Sequence, residues 1–388
     1  VASSTVSSAS HQQGSGPIPG TGPTGPGGPV SESAPGRDAR LDNAKFILIA
    51  LVVVGHAIQP VRNFEPASAL YYWIYFFHMP AFIMISGYLS RSFDASSRRV
   101  EKLVVSLAVP YLIFWAIHQT IYGVERGGLP ESLSVLRPTW TLWFLVALFM
   151  WRLSVPVWQR LRWPVAIAVL ISVFASTTDL GGGTLALGRV LSFLPFFVLG
   201  LSLRREHFAH LDRVWVRILS VAVLVSTAVL AVPISDRLSR DWLLWKDSLT
   251  DRAIDPIMPS MGIRLAFMGL ALVMTIAVLA LTPKRQMWIT SLGAYTLFIY
   301  LGHSVALLVL KASPWYERVD GAVGLVLSIA LAIGLTLLLC TPWVRAALSW
   351  AVEPRLTWLL RDDVPSRETA RGAPAAGAGA GFAAGPKS

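Results

Sequence analysis

The sequence is poor in charge and almost without cysteine. Only 14% of its 388 residues are Asp, Glu, Lys or Arg, against 54% hydrophobic, whereas ordinary globular chains carry about a quarter charged residues. That leaves too little polar surface for a soluble globular protein. The single cysteine, Cys340, excludes both a disulfide scaffold and a multi-cysteine metal site, so no metal is expected. The apolar runs lack period-two alternation, which argues against a β-barrel. Acidic residues are scarcer than basic ones, 22 against 33, for a net charge of +11. The basic residues stand singly between apolar runs, so the excess points to a cationic cytoplasmic face and not to nucleic acid.

What is present is apolar segment after apolar segment, at a mean hydropathy of +0.57. This pattern predicts an all-α, polytopic integral membrane helical bundle. Ten candidate spans cover 44–59, 70–89, 103–121, 139–157, 163–178, 188–203, 214–232, 262–281, 288–310 and 321–343. Residues 1–36, rich in Ser, Gly and Pro, read as a disordered tail and lack the basic start and apolar core of a signal peptide. The membrane domain is expected at 37–343 and a second tail at 344–388, Ala/Gly-rich at its end. An even number of spans places both termini on one side, and 22 of the 33 basic residues fall there. The positive-inside rule makes that side the cytoplasm, giving a multi-pass protein of the cell membrane with the lipid bilayer as its first partner.

The first span closes on a histidine, and the polar residues around it carry the chemistry. Lys45 and His56 are eleven residues apart, about three turns plus 20°, so they share a helix face ~16 Å apart along the axis. Lys45 marks the cytoplasmic mouth; His56 sits deep, where an ionisable group is a functional candidate. The alternative is a neutral histidine hydrogen-bonded to a neighbouring helix. His78, on the next and antiparallel span, comes to a similar depth, so the two histidines can meet. Alternatively, His78 satisfies carbonyls freed by Pro80.

The Lys45-x10-His56 pair, "LVVVGHA", "FFHMPAFIMISGYLSR", "TLWFLVALF", "LSFLPFFVLGLSLR" and "LGAYTLFIYLGHS" occur in order. Together they resemble the membrane-bound acyltransferase 3 family, most of all its fucose 4-O-acetylase-like branch, over about residues 37 to 343. The resemblance implies about ten membrane helices and transfer of an acyl group, commonly acetyl from acetyl-CoA, to hydroxyls of carbohydrates or related molecules. It makes His56 the essential histidine and Lys45 its basic companion. Arg40 and Asp42 match the polar start of that helix and are counted with the donor side. Arg99 and Lys102 resemble an Arg-x-x-Arg element linked to the donor nucleotide, with Lys replacing the second Arg and its planar fork. Ser86 and Gly87 match a signature suited to close helix approach.

These residue types fit the reaction. A hydroxyl attacking a thioester must lose its proton, and a neutral imidazole takes it near pH 7, so His56 is expected to be the general base, with a transient acyl-histidine second and His78 its partner. The cytoplasmic cations Lys45, Arg91, Arg98, Arg99 and Lys102 suit the phosphates of an acyl-CoA. Trp140 and Trp143 near the outer edge serve as an aromatic belt or a sugar-stacking platform. Trp242 and Trp245, in the long outer segment from Pro233 to Gly262, add weaker acceptor-binding candidates. His207 and Asp212 fit an H-x4-D pattern without its usual surroundings, His303 is an unresolved candidate, and His118 reads as packing. The expected activity is acetyl or short-acyl transfer to a carbohydrate or glycosylated acceptor; the rivals are an antibiotic or macrolide O-acyltransferase, and a transporter or flippase of lipid-linked sugars.

Overall fold

A computed structural model describes residues 38–128, 133–177, 183–245 and 257–354. The expected tail at 1–36 and the chain beyond 354 lie outside the described residues. Within them helix is the regular structure and no strand occurs. The helices are α1 Ala39–Ala57, α2 Glu65–Leu89, α3 Ser97–Arg126, α4 Trp143–Trp158, α5 Pro164–Ala175, α6 Leu187–Ser202 and α7 Arg205–His210. They continue with α8 Val214–Arg237, α9 Arg240–Leu244, α10 Ile257–Leu281, α11 Trp288–Leu292, α12 Thr296–Ala312, α13 Gly321–Leu339 and α14 Pro342–Val352.

Six of these, α2, α3, α6 together with the turn from Thr184, α8, α10 and α13, are long and apolar enough to cross a membrane, and α4, α5 and α12 are shorter apolar helices. With α1, the expected spans overlap helices, but 288–310 is broken at residues 293–295 between α11 and α12, and 321–343 runs past the end of α13 into α14. The exposed faces are themselves apolar: α8 turns out Val214, Trp215, Ile218, Leu219, Val225 and Val229. Such a face suits hydrocarbon and would be a liability in water.

The centre of the bundle is α2, crossed by α6 at two reciprocal glycines. A methyl group on Gly87 would strike the backbone carbonyl of Phe197, and one on Gly200 would strike the carbonyl of Met84. The close approach expected at Gly87 is therefore present, backbone against backbone. Along α3, Pro110 cannot donate to the preceding turn. The helix absorbs this with a π-helical turn at Val104–Ala108 and runs on.

The N-terminal end of α1 is pinned by a clasp of polar contacts. Arg40 donates to the Phe208 carbonyl at 2.9 Å and pairs with Asp212, and Lys284 reaches the other Asp212 oxygen at 2.6 Å. Asn43 donates to the carbonyls of Pro283 and Arg285 and accepts from Thr290. Burial pushes the Asp212 carboxyl up, but the hydrogen bonds from Lys284 and Arg40 outweigh it and hold the group below its ordinary value. Since a depressed carboxylate stabilises above its ordinary range, the clasp is complete at neutral pH and loosens as pH falls through the depressed value. At the other end of α1, the Tyr316 hydroxyl donates to the Ala57 carbonyl at 2.8 Å, satisfying a terminal acceptor.

Candidate active site

Two cavities lie at opposite ends of α1, and one stripe of α2 lines both. The one at the C-terminal end of α1, about 230 Å³ and called outer after the expected topology, includes His56, Tyr75, His78, Trp140, Trp143 and Arg189 in its wall. The inner cavity, about 270 Å³, includes Lys45, Phe82, Ser86, Ser106, Arg152 and Tyr300. On α2 the outer wall uses positions 71, 75, 78 and 79 and the inner wall 82, 85, 86 and 89; these positions recur at helical spacing on a single face. Lys45 and His56 do share a face of α1, one opening on each cavity. The rings of Phe82, Phe144 and Tyr300, all in the inner wall, pack on one another with centroids 5.6 Å and 5.7 Å apart. The Tyr300 hydroxyl is fixed on the Thr141 carbonyl.

His56 sits one residue from the end of α1 with its Nδ1 3.1 Å from the Tyr75 hydroxyl. Gly55 makes this possible, because the Tyr75 ring lies where a side chain at 55 would press on it, at 3.0 Å. Tyr75 also stacks on Tyr71 at 3.9 Å and meets the edge of His78 at 4.6 Å. The two histidines expected to meet therefore share one cavity with a tyrosine between them. The His78 Nδ1 bonds the Ile74 carbonyl at 2.9 Å, one turn back in its own helix, whereas the carbonyl that Pro80 leaves free is that of Phe76. A carbonyl can only accept, so Nδ1 carries the hydrogen and a neutral His78 presents a bare Nε2. His303 is held the same way by the Ile299 carbonyl. It stacks on His56 at 5.6 Å, and its buried Nε2 has no hydrogen-bond partner among the described residues. His118 lies between Thr139 and Ser304, each at 3.0 Å, in a supporting role.

At His56 the partner is a hydroxyl, which can donate or accept, so the contact admits either tautomer. The His56 Nε2 is a base only if Nδ1–H donates to the Tyr75 oxygen, so Tyr75 occupies the orienting position that a carboxylate holds in many hydrolytic triads. Around His56 the outer wall adds Trp140 at 4.9 Å and Trp143, stacked on Phe193 at 5.5 Å.

The other expected residues are distributed unevenly. Trp140 and Trp143 line the outer cavity, but Trp242 and Trp245 are not among the described residues of its wall. Trp242 packs on Phe267, while Trp245 is buried against Phe193 with the Arg264 guanidinium over its ring. Arg40 belongs to the clasp, and Asp42 pairs with Lys45 at 2.7 Å. That pair aims the Lys45 ammonium at the inner cavity. Arg99 and Lys102 are exposed on the first turns of α3, Arg99 beside Asp94 at 3.5 Å; one turn beyond Lys102, Ser106 enters the inner wall. His207 caps the backbone of Arg204 and Asp212 is held in the clasp, so the H-x4-D pair is structural. Tyr75 and Arg152 were not singled out from the sequence. Arg152, bonded to Ser90 at 3.2 Å, brings a guanidinium into the inner wall from α4. The described residues hold no group of three or more potential metal ligands.

Comparison with known proteins bears on this site. The acyltransferase 3 family model, described as an acyltransferase domain, matches residues 38–344. Two curated proteins, both called nodulation protein NolL, are similar in part. The one from Sinorhizobium fredii is 36% identical over 138 residues, covering 32% of this chain and 38% of that protein. The one from Mesorhizobium japonicum is 28% identical over 184 residues, covering 42% of this chain and 47% of that protein. The chain thus spans less than half the length of these relatives. No solved structure matches it significantly.

Proposed function

The chain belongs to the acyltransferase 3 family, and from that premise we propose that it is a membrane O-acyltransferase moving an acetyl or short acyl group from cytoplasmic acyl-CoA to a hydroxyl of a carbohydrate or glycosylated acceptor. The observation that carries this reading is the pairing of two cavities along α1: a cation-bearing one at Lys45 and Arg152, and an aromatic one at His56. The inner cations suit the phosphates of the donor, and the outer tryptophans suit a sugar face. Motif likeness to the fucose 4-O-acetylase-like branch supports the carbohydrate acceptor.

In the reaction, His56 Nε2 takes the proton of the acceptor hydroxyl as its oxygen attacks the thioester carbonyl. The C–S bond then breaks, the ester is released, and the departing thiolate recovers a proton as free thiol. Tyr75 holds the imidazole, and the narrow pantetheine arm would pass the Phe82–Phe144–Tyr300 rings. The purified protein should release free thiol from acetyl-CoA in step with an acetylated acceptor seen by mass. A transporter of lipid-linked sugars would release none, and that result would end the acyl-transfer reading.

The donor is assigned to the cytoplasmic side, with Arg99 and Lys102 gathering its phosphates above the inner cavity. Replacing both by Ala is expected to raise the apparent KM for acetyl-CoA more than it lowers kcat, because the lost contact serves ground state and transition state alike. Added salt should shrink the difference, since both side chains are exposed. An unchanged KM would remove them from the donor site.

The same reading has all ten helices crossing the membrane, a Ser/Gly/Pro-rich segment at 1–36 and a segment from 344 lying in the cytoplasm, and the cell membrane as location. Single cysteines introduced at Ser3 and Ser388 should resist an impermeant thiol reagent in intact cells, while one at Ser248 should react. The reverse pattern would invert the map.

A further inference from the structure

Resting on the acyl-transfer reading, we infer that the outer cavity takes an acceptor bearing an anionic group, a carboxylate or a phosphate, held by Lys311 and Arg62 one helical turn beyond His56. Gln59 organises this site. Its side-chain oxygen accepts from the Lys311 ammonium at 2.8 Å, and its backbone carbonyl accepts from Arg62 Nε at 2.8 Å. Each cation also lies over an aromatic face, Lys311 on Trp140 at 4.2 Å and Arg62 on Tyr71 at 4.8 Å. Gln59, Trp140 and Tyr71 are all part of the outer cavity wall.

Both cations are held by the one residue Gln59, yet no carboxylate among the described residues forms an ion pair with either. Holding like charges together in a partly buried site costs energy unless an anion joins them. Neutral oxygens and ring faces orient the two groups but leave their charge uncompensated. A bound anion would supply that compensation. The wall of the outer cavity carries no Asp or Glu among its described residues, the groups that most often accept from the hydroxyls of a neutral sugar. Gln59 follows His56 by three residues, a rise of about 5 Å. The charge recognised is therefore on the sugar unit that is acylated or on its immediate neighbour.

The test uses the full chain in nanodiscs of phosphatidylcholine alone, with glucuronic acid and glucose as matched probes in equilibrium dialysis. Wild type should bind glucuronic acid at least about tenfold more tightly than glucose, equivalent to about 1.4 kcal/mol. That preference should vanish in Lys311→Gln and in Arg62→Gln, and Lys311→Arg, which keeps the charge, should retain most of it. Equal affinities, binding of neither sugar, or a preference that survives both Gln variants would overturn the assignment. A second preparation contains phosphatidylglycerol; if that lipid displaces glucuronic acid in a Lys311-dependent way, the site belongs to a lipid headgroup and the acceptor assignment falls. Thiol release from acetyl-CoA in the same nanodiscs keeps the two readings apart. Persistent release without the anion preference rejects this inference alone, whereas absence of release rejects the acyl transfer beneath it.

Discussion

His56→Ala is expected to lose acetyl transfer by a factor of ~10² to 10⁴, the usual effect of removing a general base, while inserting and purifying normally. The side chain is only partly buried and opens on the outer cavity, so its removal leaves no large void in the packed core. Tyr75→Phe provides the graded companion. It keeps the ring that stacks on Tyr71 and meets His78, but loses the oxygen 3.1 Å from His56 Nδ1. The imidazole then lacks an acceptor for Nδ1–H, and kcat should fall with little change in the donor KM. A displaced pH profile for kcat would separate this orienting role from a packing role. Substantial product from well-folded His56→Ala, measured directly by mass, would make the first-helix histidine structural and defeat the mechanism.

Gly87→Val should have the largest effect on the fold itself. Added volume in a packed core ordinarily costs ~1–3 kcal/mol through side-chain adjustment. Here the new carbon meets the backbone carbonyl of Phe197 on α6, which has no rotamer with which to give way. Gly200→Ala repeats the clash from the opposite helix, against Met84. Both variants should run as aggregates or lose folded protein on size exclusion in detergent. Gly334→Ala is the control: it has open space around it and, inside α13, should be neutral or slightly stabilising. A monodisperse Gly87→Val protein with wild-type thermal stability would contradict the backbone contact between α2 and α6.

The long apolar helices were legible because each is written locally, as an apolar run bounded by charge or by turn residues, whereas the short α7 and α9 and the break between α11 and α12 were not. The shared face of Lys45 and His56 was legible for the same reason, since both lie on one helix and spacing alone fixes their relation. His78 could be brought close by counting depth down the next helix. Beyond that, the information ceases to be local. Lys311 meets Gln59 across 252 positions and His118 meets Ser304 across 186, and no periodicity announces such pairs. Tyr75 was passed over because an aromatic residue in an apolar run looks like packing; the small residue at Gly55, directly before the histidine, was the available clue. Trp242 and Trp245 were chosen by composition, and tertiary packing used them against Phe267 and Phe193. Arg40 has the charge expected at a donor mouth, but its geometry is that of a tie between α1 and the segment ending at Asp212.

That tie makes α1 a ruler. The helix itself fixes the separation of Lys45 and His56, and with its lower end bolted by Arg40 and Asn43 and its upper end held at Ala57 it cannot slide, so both keep their places against the surrounding helices. Whatever grips the donor below and whatever presents the acceptor above are registered against the same rigid scale. Segments at the outer rim are then free to diverge and fit new acceptors, as long as the rod itself keeps its length.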